Sequence, residues 1–213
     1  MNLLITAGPT REMLDPVRFL SNRSTGKMGF AVAGAGACHG HAVRLIAGPV
    51  ALATPEGVER TDVVSARDML AAVEAQLAWC DALVMTAAVA DWRPCHESAQ
   101  KLKKSAMSPT LELVRNPDIL ATLAPRKGRK IFVGFAAETE ELFAEAQRKL
   151  TAKNLDLLVA NDVSQPDAGF AVDTNRVVFF TPNQMPETLP LMYKSEVAER
   201  IVAKLERCHA DRI

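Results

Sequence analysis

The chain lacks an excess of charge of either sign. Its 213 residues carry 25 lysines and arginines against 25 acidic residues. A protein that holds nucleic acid through its overall charge is basic, so this balance excludes a general nucleic-acid binder. It leaves room for a locally positive pocket. Paired cysteines are lacking too. Cys38, Cys80, Cys95 and Cys208 are scattered and form no CxxC. Nothing in that spacing signals a zinc site, and reduced thiols in a cytoplasmic protein are expected. His39, His41, His96 and His209 show no ligand spacing either, and are expected on the surface or in loops. No stretch reaches the roughly 18 apolar residues of a membrane span. Met1-Asn-Leu-Leu-Ile5 has no basic n-region and reads as a strand, not a secretory signal. Internal repeats and low-complexity linkers are missing as well. A chain of this length fits one large domain, or one with a small appendage. It buries about 70% of its unfolded surface and needs no disulfide staples.

What is present is an alternation of strands and helices. Leu3, Leu4 and Ile5 predict a first strand that runs into a turn-rich loop, Thr6-Ala-Gly-Pro-Thr-Arg-Glu12. Ser24-Thr-Gly-Lys27 opens a helix continuing through Phe30, Val32 and Ala37. Strands are predicted at 42–47, 58–64, 82–85, 130–134 and 155–160, with a weaker one at 110–114. Ser65 and Asp68 form a capping-box signal ahead of an amphipathic helix. Asn116 is a suitable N-cap with Pro117 in the first helical position. A helix is expected over 138–153 and a closing one over 194–208. Residues 176–181 and 189–193 predict a β-hairpin. Together these give an α/β fold: a Rossmann-like, doubly wound, mostly parallel sheet with a small antiparallel extension near the C-terminus.

The segment between the first strand and its helix carries the strongest chemical signal. A polar loop leading into a helix N-terminus is an anion site, because free amide N–H groups and the helix dipole both face the ligand. Arg11, Arg18, Arg23 and Lys27 are expected to add positive charge around it. A connection of this length, 15–29, is unusual in a compact domain unless it is functional. Gly34-Ala-Gly36 falls inside the helix and reads as packing, not as a dinucleotide fingerprint. Ser24-Thr-Gly-Lys27 is no Walker A loop, since Met28 follows the lysine. Thr86-Ala-Ala-Val-Ala-Asp91 follows the fourth strand, where open α/β sheets bind ligands. Asp91 reads either as a Mg²⁺ ligand or as a solvated loop carboxylate. Lys101-Leu-Lys-Lys104 reads as a flap reaching phosphates or as a solvated basic loop. Lys149 and Lys153 share a helical face near its C-terminus, where the dipole alone accounts for them.

Taken in order, these segments resemble one family closely: the bacterial phosphopantothenoylcysteine synthetases of coenzyme A biosynthesis. The matching stretches include Ile5 through Glu12, Asp15-Pro-Val-Arg18, Ser21-Asn22, Ser24, Gly26-Lys-Met-Gly-Phe30, Ala87-Ala-Val-Ala-Asp91 and Lys101-Leu-Lys-Lys104. They continue with Asn116-Pro-Asp-Ile119, Val133-Gly-Phe-Ala-Ala-Glu-Thr139, Lys153-Asn-Leu-Asp156 and Ala160-Asn-Asp162. The resemblance implies a single synthetase domain over 1–213. It implies a ligase joining 4′-phosphopantothenate to L-cysteine with CTP, through an acyl-cytidylate, with Mg²⁺. It implies a nucleotide pocket that includes Ser24, Gly26, Met85, Thr86, Ala87, Ala88, Asp91, Lys101, Pro117, Asp118, Ile119, Leu120, Phe135, Lys149 and Lys153. Backbone near Phe135 would read the base and Asp91 would hold the metal. Asn22 would serve turnover of the acyl-cytidylate, Arg18 would grip the phosphopantothenate, and Lys101 would ride a closing flap. A homodimer with a shared site is implied, with 163–193 as the dimerisation extension. Family members are often fused to a flavin-dependent decarboxylase, and this chain is expected to be a stand-alone enzyme or an excised half. Two other functions stay open on the residues themselves: a nicotinamide-dependent oxidoreductase and a non-catalytic phosphometabolite-binding module.

Overall fold

The computed structural model describes residues 1–103, 110–138, 142–162, 169 and 171–212. Lys104 and Thr139 of the motifs above, and residues 163–168 and 170 of the extension, lie outside them.

Apolar residues at nearly every position make β1 (Asn2–Ala7) a central strand. The turn-rich loop after it is more ordered than its composition predicts. It contains β2 (Arg11–Met13) and β3 (Phe19–Ser21), which pair antiparallel with Arg11 opposite Ser21. Asp15 closes their turn by accepting from the backbone N–H groups of Val17 and Arg18 at 2.8 Å each, an Asx turn. Helix α1 (Lys27–Cys38) follows, then β4 (Ala42–Ala47) and β5 (Val58–Asp62). Helix α2 (Ala66–Gln76) begins at the expected capping box, with Ser65 Oγ accepting from Asp68 N and Asp68 Oδ2 accepting from Ser65 N.

β6 (Ala82–Met85) is fully buried. β7 (Trp92–Pro94) and β8 (Leu113–Arg115) form a small antiparallel pair, Trp92 opposite Arg115. Helix α3 (Ile119–Leu123) starts later than expected. Asp118, not Asn116, is its N-cap and accepts from Ala121 N at 3.0 Å. The Asn116 side chain is engaged elsewhere, its amide donating to Ala90 O at 2.8 Å. β9 (Ile131–Glu138), α4 (Leu142–Ala152) and β10 (Leu157–Asp162) complete the parallel series. In the tail, β11 (Thr174–Asn175), β12 (Val177–Phe180), β13 (Glu187–Thr188) and β14 (Met192–Tyr193) precede α5 (Lys194–Ala210). The expected hairpin partners differ: β12 pairs with β13, while β14 pairs with β11.

The main sheet has the order β13-β12-β10-β9-β6-β1-β4-β5. The six strands from β10 to β5 are parallel, and β12 and β13 join antiparallel at the edge. Read from β5 to β10, this is the 3-2-1-4-5-6 order of a doubly wound fold, with the reversal between β1 and β6. Alternation along each strand splits the core in two. Leu3, Ile5, Val84 and Val133 pack on the face of α1 and α5. Leu4, Leu83, Phe132 and Leu158 pack on the face of α2, α3 and α4. Among the described residues, no helix is long and apolar enough to cross a membrane.

Candidate functional site

The loops that leave β1 and β6 are zipped together at the point where the strand order reverses. Ala88 N donates to Gly8 O at 2.9 Å, and Thr10 N donates to Ala88 O at 3.3 Å. Thr86 Oγ1 donates to Thr6 O at 2.5 Å, and the buried Thr10 hydroxyl accepts from Ala90 N at 2.9 Å. Asn116 extends the seam, since its backbone N–H donates to Asp91 O at 2.8 Å. The small side chains of 87–90 therefore lie on a rigid double loop at the carboxyl ends of the central strands, where this fold class receives ligands.

Two cavities that share Ala87, Ala88 and Phe135 in their walls flank the seam. The smaller, about 140 Å³, lies at the mouth of α1 and is lined by Ser24, Gly26, Gly29, Thr86, Ala87 and Phe135 among others. Gly26 sits at φ +80° as the helix N-cap, a conformation L side chains rarely adopt, and provides no side-chain cap. The first-turn amides of α1 are thus left facing the cavity. Its back wall contains three polar side chains that are nine-tenths or more buried: Asn161, Asn175 and Lys194. Among the described residues, Asn161 Oδ1 and Asn175 Oδ1 have no hydrogen-bond partner. Lys194 Nζ donates to Gly169 O at 2.8 Å and Val172 O at 2.5 Å. Burial, and then the charge of Lys27, pull its pKa down to about 8.

The larger cavity, about 380 Å³, opens past β6 and β9. It brings together Asn22, Met85, Ala87, Ala88, Asp91, Pro117, Asp118, Ile119, Leu120, Phe135, Lys149 and Lys153, which are residues expected at the site. Asn22 stands at its rim, its Nδ2 donating to Ala88 O at 3.1 Å and Val89 O at 3.2 Å. Lys153 pairs with Asp118 at 2.8 Å. Burial pushes the Asp118 carboxyl up, but Lys153 and Ala121 N–H outweigh it, so its pKa lies below the ordinary value. Asp91 is exposed on the cavity wall, and among the described residues it belongs to no group of three metal-binding side chains. A lone carboxylate suits Mg²⁺, which takes one or two carboxylates and completes its shell with phosphate oxygens and water.

Some expected cations are elsewhere. Arg18 lines neither cavity: its guanidinium grips Asp15 at 2.5 Å and donates to Leu102 O at 2.8 Å. That guanidinium, with the backbone N–H groups on the same carboxylate, holds the fully buried Asp15 far below the usual carboxylate range. Leu102 N also donates to Asp15, so the pair latches Leu102 to the β2–β3 turn. Lys101 is exposed beside this latch and lines neither cavity. Arg11 stacks over the Phe19 ring at 4.5 Å. Lys27 lines the helix mouth but pairs with Asp173 at 2.6 Å. Long side chains find local partners that loop composition does not reveal, and the expected ring of mobile cations around α1 is therefore smaller.

This cleft can be compared with known proteins. Residues 1–208 match the model of the DNA/pantothenate metabolism flavoprotein C-terminal domain family. The chain belongs to this family. It is similar to the coenzyme A biosynthesis bifunctional protein CoaBC of Bacillus subtilis, 48% identical over 205 residues, 96% of this chain and 50% of that protein. It is 45% identical to CoaBC of Escherichia coli K12 over 209 residues, 96% and 51% of the two chains. The chain spans about half the length of the curated relatives it matches. The crystal structure of the C-terminal domain of a CoaBC is 40% identical, with a TM-score of 0.85 over 99% of this chain and 96% of that one. A Cab2 mutant in complex with phosphopantothenate-cysteine is 18% identical and shares the fold, with a TM-score of 0.80 over 99% and 86%.

In this member of the flavoprotein C-terminal domain family, three lining residues were not expected at the site, although Asn161 falls in the matching stretch Ala160-Asn-Asp162. Asn161 lies in β10, next to β9 at the strand ends, a position only the sheet order reveals. Asn175 and Lys194 come from the tail, whose pairing sequence periodicity did not specify.

Proposed function

We propose that this chain is a CTP-dependent phosphopantothenate–cysteine ligase acting in the cytoplasm. The pantothenate carboxylate attacks the α-phosphate of CTP and expels pyrophosphate. The cysteine amine then attacks the acyl carbon of the acyl-cytidylate and expels CMP. The observation that carries this reading is the pair of adjacent cavities that share a wall. One opens on bare helix amides and the other on two lysines and two carboxylates, with Asn22 on the wider rim. A helix mouth suits the phosphate of phosphopantothenate, so Ser24, Gly26 and Thr86, expected in the nucleotide pocket, face the other substrate in this reading. The wider cleft suits a nucleotide, with Phe135 common to both.

An anionic carboxylate is repelled by an anionic α-phosphate, so the site must neutralise the triphosphate before the two approach. Lys149 in α4 and Lys153 just past its end supply positive charge from one wall of the cavity. Mg²⁺ held by Asp91 and the phosphate oxygens would supply further charge neutralisation to the departing pyrophosphate. Backbone groups beside Phe135 orient the base. Arg18, through Asp15 and Leu102, positions the flap that carries Lys101. A second subunit completes the site. Exposed Phe19, Trp92 and Leu113 on the hairpins, and Met185 and Tyr193 in the 163–193 extension, leave apolar surface for it.

A pyrophosphate assay with each substrate omitted in turn tests the reading. Release should require phosphopantothenate, and CMP should appear in equal amount once cysteine is added. Binding without nucleotide consumption would leave a non-catalytic module, and a response to NADPH would favour an oxidoreductase. Comparing CTP with ATP in the same assay tests nucleotide choice. Asp91→Ala and Lys153→Ala should each raise KM for CTP about 10- to 100-fold, the worth of a charge-assisted contact. Only Asp91→Ala should also raise the Mg²⁺ requirement.

Lys194 sets a pH dependence. The folded lysine loses its proton near pH 8, whereas the unfolded chain keeps it to about 10.4. Above pH 8 the unfolded chain binds more protons, so the Lys194 contribution to stability rises with pH. Phosphate binding should move oppositely: affinity for phosphopantothenate should fall as pH rises through about 8. Calorimetric titration across that range checks this, and Lys194→Met should flatten the profile.

A further inference from the structure

The far end of α1 meets α5 away from the cleft. Gly40, at φ +77°, reverses the chain after α1 so that His39 and His41 face the same carboxylate. His39 Nδ1 and His41 Nε2 each lie 3.0 Å from Glu206 Oε1. One nitrogen from each ring and a carboxylate oxygen fall within 4.8 Å of one another. A second carboxylate stands behind the first: Glu199 Oε2 lies 2.8 Å from His39 Nε2.

We propose that His39, His41 and Glu206 form a binding site for one divalent transition metal of the zinc class. Ligands about 2.0–2.2 Å from a tetrahedral ion stand roughly 3.3 Å apart; each imidazole nitrogen here lies 3.0 Å from the carboxylate oxygen, and all three donors lie within 4.8 Å. The donor set of two imidazoles and one carboxylate leaves a fourth position for water. Glu199 accepts the proton on Nε2 of His39, and the Nδ1 proton that now faces Glu206 would leave to solvent as the metal binds. Carboxylates behind metal-bound histidines orient them in this way. His41 is largely buried, with 12% of its side chain exposed, so its ring is held in place before metal arrives. The site joins residues 39 and 41 to residue 206. Such a clip closes a long chain segment and stabilises the α1–α5 face of the core. α1 is twelve residues long, so the site lies about 18 Å from the helix mouth and outside the proposed chemistry.

Co²⁺ titration of the intact protein with visible spectroscopy tests this, with Zn²⁺ as competitor. One equivalent of Co²⁺ should give ligand-field bands that Zn²⁺ abolishes, and Zn²⁺ should raise the thermal midpoint. Glu206→Gln and His41→Ala should remove the bands, with folding checked by circular dichroism. Glu199→Gln should bind Zn²⁺ about 10- to 100-fold more weakly. His96→Ala and His209→Ala should bind normally. Absence of bands, or bands that persist in folded Glu206→Gln, would overturn the assignment. A thiolate-to-cobalt charge-transfer band would do so too, by naming Cys38 or Cys208 as a ligand. If His41→Ala fails to fold, Glu206→Gln decides alone.

Discussion

Asn22→Ala is expected to form about one equivalent of pyrophosphate per site and then nearly stop. Under the proposed function the first half-reaction depends on charge around the triphosphate, which Asn22 does not supply. The second half-reaction builds negative charge on the acyl oxygen as the cysteine amine attacks. An amide at the cleft rim can donate to that oxygen by releasing Ala88 O or Val89 O, and its own carbonyl can orient the amine. Losing one such donor costs about 10²–10³ in turnover. Asn22 Nδ2 rests on Ala88 O and Val89 O, so the side chain is held over the seam between the cavities before substrate arrives. Rapid-quench measurement should therefore find a full burst, accumulated acyl-cytidylate and slow CMP release. A lost burst would move Asn22 to the first step. Unchanged steady-state turnover would remove it from the reaction.

Gly29→Ala should cost about 3 kcal/mol, or roughly 6–12 °C in thermal midpoint for a chain of this size. A Cβ at position 29 would overlap Thr86 Oγ1 and stand 2.5 Å from Ala7 Cβ and 3.0 Å from Thr6 O. Thr86 cannot turn aside freely, because its hydroxyl is bonded to Thr6 O. α1 would have to lift off β1, and its mouth would shift with it, so phosphopantothenate affinity should fall as well. Gly34→Ala, about one and a half turns along the same helix, is the control. Its nearest neighbour would be Pro55 Cβ at 3.7 Å, an ordinary contact. Replacing a half-exposed mid-helix glycine should then stabilise by about 0.8–1.0 kcal/mol. Thermal denaturation of the two variants should move in opposite directions. Equal shifts would show that helix propensity, not the fit of α1 on the sheet, governs both positions.

Much of the fold was legible because its signals are local. Leu3-Leu4-Ile5 and Ala82-Leu-Val-Met85 are short apolar runs, and such runs become buried parallel strands. Ser65 and Asp68 form their capping box from four consecutive residues. Gly34 and Gly36 fall inside α1, as their position in the pattern implied, and Gly36 packs against Leu3 and Val43. The errors came where a local signal had a distant competitor. Asn116 has the chemistry of an N-cap, but Ala90 O claims its amide and the helix starts at Asp118. Residues 189–193 have the look of a hairpin arm, yet β12 finds its partner in β13 and β14 finds β11.

The sequence by itself determined the strand–helix alternation, the bare helix mouth after β1 and the family. Each is written in neighbouring residues or in motifs kept in order. Tertiary structure alone decided which charges face the cleft. Arg18 turned to Asp15, Lys153 met Asp118, and Asn161, Asn175 and Lys194 closed the back of the helix mouth. It also brought His39 and His41 to Glu206 across 167 and 165 residues of chain. The physical reason is range: propensity and capping act over a few residues, whereas a side chain's partner is set by which strands lie side by side.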